Sequence, residues 1–279
     1  MQGRIEKVST GFKPESFYFI HDERTSEDAT PRVRKQVSEG FLRYRKNTGG
    51  RIVVDKSPRN SLKIPFILKI FPHARFIHIL RDGRDVTLSI HKEWERRRNI
   101  LLDNQNKHNF NYKEALSVIR EWLGRQPFVM DKIKAFWFET RGHFLNTALH
   151  LNRLRWNGNV GWGPRFKNWE MLRDQQSLLQ FNAHQWLKCV ENIQKSWPDI
   201  PVDRKFELRY EDLLRDGEKM IRDILGFLNV EPYAEFFESM PKLKKNNFNK
   251  WQKEFSKEQM DEIDAILSPK LMELGYEID

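Results

Sequence analysis

Three residues stand out by chemical type and by their place at the end of an apolar run. Lys56 follows RIVVD, Arg81 follows RFIHIL, and Tyr210 follows RKFELR. Each run reads as a short strand. In a parallel sheet, ligands bind beyond the carboxyl ends of the strands, where the following helices present free N–H groups. Two cations and an aromatic ring are therefore expected on one rim. Arg81 can form a bidentate pair with a phosphate, and Ser89, in the first turns of the next helix, can add a hydroxyl donor to the same anion. An ammonium at Lys56 can stabilise negative charge on a leaving or bridging oxygen, and Tyr210 can stack on a base or hydrogen-bond to it. Each has a plainer reading. Arg81, Asp82, Arg84 and Asp85 also suit a salt-bridged turn in which Ser89 is incidental. Lys56 also suits a surface lysine beside a Ser-Pro turn, and Tyr210 a core residue with a wet hydroxyl. Spacing alone leaves these pairs of readings open.

Other chemistries find little support. The eight histidines form no ligand-like cluster: His143 and His150 are two helical turns apart, HExxH does not occur, and no metal is expected. The dipeptide Gly-Lys never occurs, which removes the GxxxxGK[ST] loop of conventional ATPases. One cysteine, Cys189, excludes an internal disulfide and a multi-cysteine zinc site. The balance of 49 basic to 39 acidic residues, a formal +10, favours anionic partners. Nine tryptophans and the basic run EWERRR suit nucleic acid in composition only. No RNA-binding motif or recognition-helix pattern accompanies them, so nucleic acid is not an expected partner. The N-terminus has no apolar signal-like core, and no run of about 18 apolar residues appears, so the chain as given is expected to be soluble and cytoplasmic, without a membrane segment.

The elements that must position these residues follow from periodicity. RIVVD, the apolar helix NSLKIPFILKIF with Pro65 near its first turn, RFIHIL, and the helix DVTLSIHKEWERRR form strand, helix, strand, helix within residues 51–98. That order implies parallel strands joined by right-handed crossovers, an α/β sheet flanked by helices. PRVRKQVSEGFLRYRK precedes it as a helix. YKEALSVIREWL and DKIKAFWFETRGHFLNTALHLNRL read as a short and a long helix, and WNGNVGWGPRFKNWEML as a loop with an unusual aromatic load. SLLQFNAHQWLKCVENIQKSW is a helix ending at Trp197-Pro198, RKFELRY a strand, and EDLLRDGEKMIRDILGFLNV a helix with acidic residues in its first turn. A basic loop, KLKKNNFNKWQKEF, leads to a closing helix opened by a Ser256/Gln259 capping box. No linker-like stretch or repeat interrupts the series, so residues 1–279 are expected to form a single domain.

The ordered set of segments resembles the sulfotransferase family that uses 3′-phosphoadenosine 5′-phosphosulfate, in particular its bacterial branch related to tyrosylprotein sulfotransferases. The segments are DKSPRNSLKIPFILKIFPHARFIHILRDGRDVTLS, WGPRF, the HQWLKCVENI helix, RYEDLLRDGEKMIRDILGFLNV, NNFNKWQKEF and ELGY, spread over roughly residues 51–279. The resemblance implies a P-loop-NTPase-like sulfotransferase fold. It implies that Arg81 and Ser89 grip the 3′-phosphate, that Tyr210 contacts the adenine, and that the loop around Lys250 and Trp251 covers the nucleotide. It further implies that Lys56 stabilises the transferring sulfuryl group. The expected partners are the nucleotide co-substrate and an unidentified acceptor, a hydroxyl or an amine. His21, Asp22, Glu23 and Glu39 are the candidates for accepting the acceptor's proton. The family pattern opens with a strand and a Ser/Thr-rich loop that binds the 5′-phosphosulfate. Neither occurs in these residues, so the N-terminal strand and loop are expected to be missing. The alternative to an enzyme is a non-catalytic module that binds a nucleotide or a sulfated ligand.

Overall fold

The computed structural model describes residues 21–50, 52–106, 163–244 and 246–278. The chain divides into two compact units, residues 1–90 with 163–279, and residues 91–162. All of the helices and strands below belong to the first unit, apart from the later turns of α3.

Helix α1 (Pro31–Thr48) begins where the sequence provides both a cap and a fixed φ. Thr30 accepts a hydrogen bond from the Val33 amide, Pro31 occupies the first turn, and Gly49 ends the helix in the left-handed conformation. Its buried Val33 and Val37 pack with Ala29 and with Phe66 and Ile70 of helix α2 (Ile64–Ile70). A single 3-10 turn, Pro58–Leu62, leads into α2.

Strands β1 (Phe76–Leu80) and β2 (Lys205–Arg209) pair in parallel. They carry RFIHIL and RKFEL, as the sequence predicts. Among the described residues they form a two-stranded sheet. The strand expected over RIVVD is not formed. Residues 52–57 have no regular structure, and Ile52 and Val54 are 50% and 62% exposed. Three consecutive apolar residues fit a strand and an irregular extended segment equally well, because so short a run says nothing about whether a partner edge is at hand.

Helix α3 (Gly83–Asn106) follows β1 directly. Its start is fixed by Asp82, whose carboxylate accepts from the Arg84 amide and whose carbonyl accepts from the Val86 amide. The helices expected over residues 112–154 lie outside the described residues, as does the first part of the tryptophan-rich segment. Of that segment, residues 163–168 are irregular and Trp169–Gln175 forms helix α4.

Helix α5 (Leu178–Ser196) opens on a Ser177/Gln180 capping box, and Ser177 also hydrogen-bonds Glu262. After β2 the expected single helix is two, α6 (Tyr210–Arg215) and α7 (Gly217–Leu228). The break falls at Asp216, which has φ −134° and caps α7 by accepting from the Lys219 amide. Asp favours such a cap over a helix interior because its side chain competes for nearby backbone N–H groups. The short helices α8 (Phe236–Ser239) and α9 (Trp251–Glu254) precede α10 (Lys257–Glu273), which carries the predicted Ser256/Gln259 capping box. The main core joins Leu80 of β1 with Leu179, Ala183, Trp186 and Val190 of α5 and Ile263, Leu267 and Leu271 of α10. Two helices thus hold the carboxyl end of β1 in place.

Candidate functional site

The parallel register pairs Leu80 with Arg209, so the next residue on each strand, Arg81 and Tyr210, must emerge side by side. The Arg81 guanidinium lies over the Tyr210 ring, 4.6 Å from its centroid, an arrangement that favours a cation against the ring face. Its Nη2 donates to the Asn247 carbonyl at 3.2 Å and pairs with Asp85 at 3.4 Å. The Asn247 amide in turn donates to the Tyr210 hydroxyl at 2.8 Å. Arg81 Nε is buried and has no hydrogen-bond partner. Such a donor is costly in a folded chain and commonly marks a ligand or a functional constraint.

The turn after β1 is held rigidly from beneath. Arg84 makes a paired contact with the Asp82 carboxylate, at 2.8 Å through Nη2 and 3.1 Å through Nε. Its guanidinium also sits 3.8 Å from the centre of the Trp251 ring. The Asp82 amide donates to the buried Glu211 carboxylate at 3.1 Å, which also accepts from the Tyr276 hydroxyl at 3.4 Å. Burial, with Glu211 alongside, pushes the Tyr276 hydroxyl well above its ordinary value. Trp186 of α5 donates to the Arg81 carbonyl at 3.1 Å, and a Cβ on Gly83 would fall 2.7 Å from the Trp186 ring. Gly83 is therefore required by close approach of an aromatic ring. The salt-bridged turn and the rim cation are thus the same structure, since Arg84–Asp82 carries the turn while Arg81 reaches Tyr210.

The loop that carries Lys250 closes onto this turn. Asp85, with no side-chain exposure, accepts from the backbone amides of Asn249 at 2.8 Å, Lys250 at 2.9 Å and Trp251 at 3.2 Å. The Lys250 side chain is exposed. Ser89 lies one helical turn beyond Asp85, on the same face of α3, and is exposed. Lys56 is exposed and follows no strand. Neither Ser89 nor Lys56 bonds to Arg81, Tyr210 or Lys250. The structure therefore brings together Arg81, Tyr210 and the backbone of Lys250. Sequence reasoning missed the convergence of Asp85 and Glu211 on backbone amides, because a buried carboxylate's partners are far away in sequence and its own neighbours do not announce them.

A second polar group lies where residues 21–24 meet the WGPRF segment. The Asp22 amide donates to the Arg165 carbonyl at 2.6 Å, and the Asp22 carboxylate accepts from the Arg165 amide at 2.8 Å. Glu23 accepts from the Lys167 amide at 2.7 Å, and Asp22 also pairs with Arg59 at 3.5 Å. Of the four candidate proton acceptors, Asp22 and Glu23 are thus engaged in holding backbone. Glu39 is exposed on α1, and His21 has a buried, unpartnered Nδ1. Burial pulls the nearby Lys63 ammonium below its ordinary value, with Asp22 and Asp55 opposing that fall.

No helix among the described residues is long and apolar enough to cross a membrane. None of the curated proteins and none of the solved structures matches the chain. A model of the Sulfotransferase family, however, matches residues 4–131 and 164–235. The match begins well before residue 51, where the resemblance read from the sequence starts. It includes Lys56, Arg81, Ser89 and Tyr210, and ends before the Lys250 loop. With the α/β architecture and most of its length matched in this way, the chain belongs to the sulfotransferase family.

Proposed function

We propose that the chain binds 3′-phosphoadenosine 5′-phosphosulfate beyond the carboxyl ends of β1 and β2, and transfers its sulfuryl group to a hydroxyl or amine acceptor. The observation that carries this reading is the Arg81 guanidinium held over Tyr210, with one buried donor left unpartnered, at the rim where α/β sheets bind ligands. In this reading Arg81 and Ser89 hold the 3′-phosphate, Tyr210 meets the adenine, and the Lys250 loop lies across the nucleotide. Lys56 supplies positive charge to the transferring group.

Sulfuryl transfer of this kind needs positioning and charge stabilisation more than covalent chemistry from the protein. The acceptor oxygen or nitrogen attacks sulfur, and the bond from sulfur to the bridging phosphate oxygen breaks. The electron pair of that bond leaves with 3′,5′-diphosphoadenosine, and the acceptor's proton passes to a base. Calorimetric titration with 3′,5′-diphosphoadenosine tests the binding half directly, because this product needs no acceptor. Micromolar binding that is lost in Arg81→Ala and weakened in Ser89→Ala is the expected result. A folded chain that does not bind the product overturns the reading.

A further inference from the structure

Three consecutive backbone amides converge on one carboxylate at the edge of the site. Asn249 has φ 53°, in the left-handed region that Asn tolerates better than most residues. Lys250 follows in the right-handed region at φ −70°, ψ −29°. A pair of residues of opposite hand turns successive N–H groups toward one point, which creates a concave site for an anion. Here the anion belongs to the chain itself: Asp85 fills the concavity at 2.8, 2.9 and 3.2 Å. The same carboxylate lies 3.4 Å from Arg81 Nη2. Asn247, two residues before the concavity, accepts from Arg81 through its carbonyl and donates to Tyr210 through its side chain.

We propose that Asp85 is a positioning residue for the nucleotide site, docking the 246–251 loop through its backbone amides while fixing the Arg81 guanidinium over Tyr210. The inference rests on the nucleotide reading above and deepens it. Its physical basis is that a carboxylate with three amide donors and one guanidinium has all its demands met inside the protein, and so cannot drift without stranding at least one partner. Loop and cation are then one mechanical unit. Ordering the loop in advance removes part of the entropy that a nucleotide would otherwise lose on capturing it. The role belongs to the carboxylate charge and shape, since these are what the amides of residues 249–251 and the Arg81 guanidinium meet.

The test pairs two readouts on the full chain. Hydrogen exchange of the ligand-free protein reports loop docking, and calorimetry with 3′,5′-diphosphoadenosine reports the site. In Asp85→Asn, the amides of residues 249–251 should exchange at least tenfold faster while those of α5 keep their protection, and affinity should fall about tenfold. Asn249→Ala leaves Asp85 and the core untouched but strains the left-handed turn. It should shift both readouts in the same direction, and it keeps the test decisive if Asp85→Asn does not fold. Unchanged loop exchange in both variants overturns the docking role. Faster exchange with unchanged affinity overturns the link between docking and binding. If the unaltered chain does not bind the nucleotide, the functional reading fails, while exchange still decides whether Asp85 docks the loop.

Discussion

Arg81 and Tyr210 are neighbours because of strand register: Leu80 faces Arg209 across the parallel pair, and each strand's next residue turns onto the same rim, placing the guanidinium 4.6 Å from the ring centroid. The ring and the hydroxyl of Tyr210 do separate things. The ring faces Arg81, while the hydroxyl accepts from Asn247 at 2.8 Å. Tyr210→Phe should therefore keep the cation in place and weaken 3′,5′-diphosphoadenosine binding only about threefold, the scale of one neutral hydrogen bond. Tyr210→Ala removes the platform and should cost about tenfold, equivalent to roughly 1.4 kcal/mol. Calorimetry on the two variants checks this, and equal losses would place the whole effect in the hydroxyl.

Gly83 is a steric requirement with a defined cause. A Cβ at this position would lie 2.7 Å from Trp186 Cε3, and Trp186 cannot retreat without giving up its bond to the Arg81 carbonyl. Gly83→Ala should destabilise the chain by about 1–3 kcal/mol, the usual cost of overpacking. In a Trp186→Leu background the same substitution should cost much less, since the clash is then gone. Urea unfolding of the four chains measures the coupling, and simple additivity would show that the glycine is kept for another reason.

Much of this architecture is legible in the sequence because its signals are local. RFIHIL and RKFEL carry enough apolar residues to be strands, and Ser256 with Gln259 spells out a capping box that the structure contains. RIVVD fails where locality fails: Ile52 and Val54 are as apolar as the residues of β1, yet exposed. The break at Asp216 could have been read from Asp216-Gly217, a cap followed by a flexible residue, but the apolar periodicity on both sides hides it. Within the site, a strand-end arginine and tyrosine can be located from pattern alone. What Asp85 and Glu211 hold cannot, because the backbone amides that bond to them lie 129 residues away or more.

Glu211 is a buried carboxylate whose two bonds tie three segments together: the Asp82 amide after β1, Glu211 itself on α6, and Tyr276 near the C-terminus. Glu211→Ala leaves the buried Asp82 amide without an acceptor, which should cost about 1–3 kcal/mol. Glu211→Gln keeps an oxygen for one of the two donors and should lose less. Tyr276→Phe should cost no more than about 1 kcal/mol, as its bond is long at 3.4 Å. The order Ala, then Gln, then the tyrosine variant, read from urea midpoints, is the expected result. A Gln variant as unstable as Ala would mean that the charge matters more than the acceptor.

Cys189 provides a pH test of burial. It is the only cysteine in the chain, and burial pushes its thiol up to about 12, with a hydrogen bond from Ser61 opposing the rise. Unfolded, the same thiol ionises near about 8.5. Between those values the unfolded chain has released a proton that the folded chain retains. Stability should therefore be unaffected by this group at lower pH and decline as pH rises above about 8.5. Cys189→Ala should flatten the decline between about pH 9 and pH 10, below the range where the raised Tyr276 adds its own contribution. The thiol itself should react slowly. At about pH 8 the half-buried native thiol should hold less thiolate than a free cysteine, and alkylation should be slower than in the unfolded chain. Rates measured with and without denaturant decide the matter: a native rate equal to the unfolded one would show that the α5 face against Pro58 does not keep the thiol protonated.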